Sequence, residues 1–217
     1  MNFEKGHLYH VCNQGNNRQK IFFRRENYYF FLKKIREQIL PHADVLAWCL
    51  MPNHFHLLVL PRQDSRSATL LNHHTHQMTL SHQMSDLTKS IAVMLRSYTR
   101  AINIQENRTG SLFKPHTKAQ CLTKIEGATP AYLNTNYGTL ISMQTPENEY
   151  PQVCFNYIHQ NPVKANLVAK PEDWEFSSYR DYCGLRTHDG LVNMEIAKEF
   201  FPQYTSDDSK SSDVCHY

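Results

Sequence analysis

Residues Met51 to Pro61 read Met-Pro-Asn-His-Phe-His-Leu-Leu-Val-Leu-Pro, and Tyr157 to Lys164 read Tyr-Ile-His-Gln-Asn-Pro-Val-Lys. In a β-strand, side chains two apart share a face, so His54 and His56 point one way and Phe55 the other. Two neighbouring imidazoles can grip one metal ion through neutral ring nitrogens. With 13 His in 217 residues, a His-x-His triplet also arises by chance roughly 0.8 times. A second triplet, His74-Thr75-His76, does occur, in a polar stretch that reads as loop. Taken alone, then, the first triplet equally suits a buried strand that contains two histidines. The later stretch supplies the other half of a site. Tyr157 and Asn161, four apart, lie on one helix face. A tyrosine beside a cation can attack a phosphodiester, since the cation offsets charge on the attacking and leaving oxygens. The Asn161 amide oxygen can complete the ligand set, with Gln160 the second choice; His159 projects away from the Tyr157 face. The plainer alternatives are a half-buried packing tyrosine and an asparagine that ends a helix before Pro162.

The elements that must position these groups follow from periodicity. Leu8–Cys12 reads as a strand closed by the polar turn Asn13 to Asn17, and Glu26–Leu40 as a helix with Tyr28, Phe31, Leu32, Ile35 and Ile39 on one stripe. Ala43–Leu50 and His54–Leu60 are strands joined by so short a link that they must pair antiparallel. Ser85–Ile104 is a second amphipathic helix, and Leu112–Leu122 a fourth strand. The order is βαββαβ, an α+β fold with a ferredoxin-like antiparallel sheet and both helices on one face. Thr123–Gln144 reads as an irregular insertion with room for a short helix. Pro146–Gln160 is an additional C-terminal helix carrying the tyrosine, ended near Asn161 by Pro162.

Composition limits the remaining possibilities. An apolar content of 41% is enough for a core, and a net charge of +3 permits a nucleic-acid partner without demanding one. No window approaches the ~18 apolar residues of a membrane span, and Met1–Gly6 leads into strand pattern without the apolar core of a signal peptide. The six cysteines have no close spacing and mostly sit in apolar segments, so reduced core thiols in a cytoplasmic protein are expected. Arg62–Leu80, with His73, His74 and His76, reads as loop, and residues from Thr205 onward as a mobile tail.

The segments Met51–Pro61 and Tyr157–Lys164 together resemble the HUH single-tyrosine transposases of bacterial insertion sequences, most of all their REP-associated branch. Asn13–Phe23, Arg96–Arg100, Gly110–Lys114 and Asp173–Tyr179 add to the similarity, which runs in order over Leu8–Gly184. The resemblance implies a transposase domain over residues 1–184 with an insertion at 123–145, and a partly disordered extension over 185–217. It implies that His54, His56 and Asn161 hold a divalent metal, Mg2+ or Mn2+, and that Tyr157 is the nucleophile. It further implies cleavage of single-stranded DNA beside a hairpin through a 5′-phosphotyrosine, then rejoining, by a monomer or a tyrosine-exchanging homodimer. Imidazoles suit manganese better than magnesium, so manganese is expected to bind tighter. Lys89, Arg96 and Arg100 on the second helix and Lys114 and Lys118 on the fourth strand are the basic residues expected along the DNA. The alternative is a domesticated module that binds DNA or RNA hairpins without cutting, and a replication-initiator nickase is a third, disfavoured by the lack of a helicase-like segment.

Overall fold

The computed structural model describes residues 1–62, 86–124, 146–186 (the first four as backbone) and 190–204, with the backbone of 132–135 and 138–141. Strands β1 (Tyr9–Gln14), β2 (Ala43–Met51), β3 (His54–Pro61) and β4 (Lys118–Cys121) alternate with helices α1 (Arg25–Gln38) and α2 (Asp86–Gln105). They form one antiparallel sheet in the order β2-β3-β1-β4. This is the expected α+β, ferredoxin-like arrangement.

Pro52 and Asn53 turn β2 into β3, with Met51 opposite His54. The β1–α1 connection braces that turn: Ile21 N donates to Pro52 O (2.8 Å) and Gly15 N to Asn53 O (2.8 Å). Gly15 is required here, because a Cβ would meet the Gln19 carbonyl oxygen at 2.1 Å. On the helix-covered face, Phe31 of α1 packs 5.1 Å from Phe55 and 4.9 Å from Tyr98 of α2, ring centre to ring centre. Such fully buried aromatics each contribute on the order of 2–3 kcal/mol by burial. The Tyr98 hydroxyl spends its proton on Ile21 O (2.8 Å), so a polar tip in the core is satisfied.

The outer edge of β2 would expose unpaired backbone groups. The later chain covers it: Leu50 N donates to Phe176 O, Ser178 N to Trp48 O and Asn193 N to Val45 O, each at 2.9 Å. Helix α3 (Pro146–Lys164) packs on β2, and α4 (Tyr179–Tyr182) and α5 (Met194–Phe200) follow. Asp44, buried at the start of β2, is held by Arg62 through two hydrogen bonds and by Asn193 Nδ2 at 2.8 Å. These contacts keep its carboxyl below the usual range, the Arg62 hydrogen bond foremost. Leu191, Val192, Ala197 and Phe201 belong to the same core.

Several local expectations change. Asn13 and Gln14 belong to β1, because β3 is long enough to pair with them. The fourth strand is shorter than Leu112–Leu122: Pro115 has no N–H for a ladder, and before Lys118 only Phe113 makes an isolated bridge, to Gly15. Within the 123–145 insertion the described residues include a two-stranded antiparallel pair, β5 (Tyr132–Thr135) with β6 (Gly138–Ile141). Helix α3 continues through Pro162 to Lys164. Proline costs it one N–H donor within the last turn, while Asn161 Nδ2 donates to Tyr157 O (2.8 Å) and reinforces that turn. No helix among the described residues is long and apolar enough to cross a membrane. The loop with His73, His74 and His76 and the tail after Tyr204 lie outside the described residues.

Candidate functional site

Strand register puts the site on the sheet face opposite the α1–α2 layer. Residues directly opposite in an antiparallel ladder project to the same side. Gln14 lies opposite His54, Cys12 opposite His56, and Lys118 opposite Cys12. His10, two residues before Cys12, shares that side, while Val11, Phe55 and Leu57 enter the core. Helix α3 crosses this face with Phe155 and Ile158 buried against the fold and Tyr157 36% exposed.

The Tyr157 ring stands 5.4 Å from the His56 ring and 6.3 Å from that of His10, edge-on to both. His54, His56, Tyr157 and Asn161 line one cleft of about 370 Å³, together with Cys12, Gln14, Lys114, His116 and Lys118. The four residues proposed from sequence to act together, distant in the chain, thus share one cavity. Gln160, the second choice, is not among its walls.

Burial sets the protonation states. It pushes His10 down to about 4 and His56 well below the usual imidazole value, with His10 and His54 adding to the effect. His54 is also lowered by burial, a hydrogen bond with the Asn161 side chain opposing. All three rings are therefore neutral at pH 7. Burial raises the Tyr157 phenol, again opposed by Asn161, so the side chain rests protonated. His54 Nδ1 donates to Asn53 Oδ1 (2.6 Å), which leaves Nε2 as the ring nitrogen that meets Asn161. His56 is 4% exposed, and its Nε2 is buried with no hydrogen-bond partner. Asn161 gives an amide N–H to Tyr157 O, and its side chain also meets His54 and the Tyr157 phenol. An orphaned buried nitrogen on His56, a second neutral imidazole and an amide oxygen are donor types that fit a divalent cation.

His159, as expected, faces away. Two residues after Tyr157 it is rotated about 200° around the helix, 1% exposed. Its Nε2 is 2.8 Å from Ser178 Oγ, which accepts from Trp48 N (2.8 Å) and donates to Trp48 O (3.1 Å). This contact fixes α3 to β2 and so sets the rotation that aims Tyr157 into the cleft.

Arg96, Arg100 and Lys114 line a second, larger cleft of about 1100 Å³. It shares Asn13, Lys114 and His116 with the first, so a basic path leads to the tyrosine. Lys118 lines the smaller cleft. Lys89 lines neither and pairs with Asp86 at 3.4 Å, which separates it from the other basic candidates. Sequence reasoning missed His10, Gln14 and His116, and took Cys12 for a core thiol. The alternation His10-Val11-Cys12-Asn13-Gln14 was the available signal, but only pairing of β1 with β3 gives that face a purpose.

No family model and no curated protein matches the chain. Among solved structures it is similar to one described as a REP-associated tyrosine transposase bound to a REP hairpin, with a TM-score of 0.49 and 18% identity over 88% of this chain and 85% of that one.

Proposed function

We propose that the protein is a metal-dependent nickase and strand transferase for single-stranded DNA, acting through Tyr157. The observation that carries this is the single cleft in which a phenol from α3 meets two neutral imidazoles from β3 and the amide of Asn161. The sequence resemblance to HUH single-tyrosine transposases supports it independently. His54, His56 and Asn161 would hold the cation, Mg2+ or Mn2+, which supplies Lewis-acid polarisation of a phosphate. Tyr157 Oη forms a bond to the phosphorus as the bond to the 3′-oxygen breaks. The proton given up by the phenol is balanced by the one taken up at the 3′-hydroxyl. One phosphodiester becomes another, so a free 3′-hydroxyl reverses the step without a nucleotide cofactor. Arg96, Arg100, Lys114 and Lys118 neutralise phosphates along the two clefts, and the hairpin beside the cut is the expected specificity element. Either a monomer or a homodimer exchanging tyrosines accommodates this chemistry.

The test is incubation of wild type and Tyr157→Phe with labelled single-stranded hairpin DNA and manganese. Wild type forms a covalent 5′-linked adduct, whereas the variant binds the hairpin and forms none. An adduct in the variant removes Tyr157 from its role. Hairpin binding by wild type with no adduct under any divalent cation leaves the non-catalytic hairpin-binding module as the better account.

A further inference from the structure

The proposed nucleophile and its cation set leave His10 and Cys12 without a task, although both face the same cleft side as His56. His10 Nε2 lies 2.8 Å from His56 Nδ1, and the rings stack at 5.0 Å with 21° between their planes. One ligand atom from each of His10, Cys12 and His56 lies within 4.8 Å of the other two. Cys12 is a free thiol on the strand directly paired to His56. The orphaned Nε2 of the buried His56 ring is the second sign that this corner lacks a partner. Two borderline nitrogens and one sulfur are the donors of zinc-type ions, whereas magnesium selects oxygen.

We propose that His10, Cys12 and His56 form a second cation site, specific for a thiophilic divalent ion such as zinc, that overlaps the His54–His56–Asn161 set through His56. Binding replaces the Cys12 thiol proton, which leaves to solvent, by a sulfur–metal bond. Because both sets need the His56 ring, a thiophilic ion at this corner withdraws His56 from the cleavage site. Zinc is then an inhibitor of cleavage supported by magnesium. The binding claim stands on the three ligands alone; the inhibition rests on the function proposed above.

Cobalt(II) is the probe, since a thiolate bound to it gives a charge-transfer band in the near ultraviolet. Full-length wild type and His54→Ala each bind one equivalent with that band, and zinc but not magnesium displaces it. Cys12→Ser loses the band, and Cys12→Ser and His10→Ala each weaken zinc binding by at least about tenfold, with circular dichroism and melting temperature of every variant compared with wild type. A band that persists in Cys12→Ser, or is absent from wild type, overturns the site. In the adduct assay, zinc inhibits wild type at concentrations about tenfold lower than Cys12→Ser; equal inhibition overturns the overlap. A normal cobalt band in a protein that forms no adduct under any cation leaves this site standing and rejects the catalytic function instead.

Discussion

Acidification from pH 7 to pH 5 removes about 2 kcal/mol of stability through His159 alone. Its ring is fully enclosed by Phe155, Tyr179 and Tyr182, and burial holds its pKa down at about 3 against an unfolded value of 6.5. The unfolded chain therefore binds a proton as pH falls through 6.5 while the folded chain refuses it until about 3. The contribution is complete above the unfolded value and is lost at about 1.4 kcal/mol per pH unit below it. One and a half units, from 6.5 to pH 5, give the stated figure. His10, His54 and His56 are shifted in the same direction, so the comparison must isolate His159. His159→Gln keeps a polar amide to meet Ser178 and cannot titrate. Urea unfolding at pH 7 and pH 5 measures the loss in both proteins, and wild type loses about 2 kcal/mol more than the variant. Equal losses would refute the assignment of His159 as a neutral, buried ring. Since this contact fixes α3 to β2, acid is also expected to release the helix bearing Tyr157.

Three further outcomes follow from the same geometry. Asn53→Ala removes the acceptor that orients His54 and raises the cation concentration for half-maximal adduct formation by about 10–100-fold, with hairpin affinity unchanged in a filter-binding assay. Arg96→Ala and Lys118→Ala each reduce the slope of log binding constant against log salt by about 0.7–0.9, whereas Lys89→Ala, already ion-paired with Asp86, changes it little. Phe31→Ala opens a cavity between α1, Phe55 and Tyr98 and costs about 3–5 kcal/mol in urea unfolding.

The elements were legible because each writes its periodicity locally. The stripe through Phe31 and Ile35 and the alternation through Phe55 and Val59 needed no partner to be recognised. Punctuation was read less well. Pro162 looked like a helix end, yet a proline so near the terminus removes only one donor and the helix runs on. Pro115 lay inside an apparent strand and shortened it. Neither outcome depends on local propensity alone.

The sequence by itself determined the βαββαβ order, since strand and helix periods assign each side chain to a face, and its resemblance to a known family singled out the four residues proposed for the chemistry. Only the tertiary structure decided the register in which β1 lies beside β3. That neighbour brings His10 and Cys12 to His56, and such pairings between distant strands leave no periodic trace in either one. The same holds for the contact of His159 with Ser178, which turns Tyr157 toward the cleft. A period fixes which way a residue points on its own element, but what it points at depends on how the elements pack.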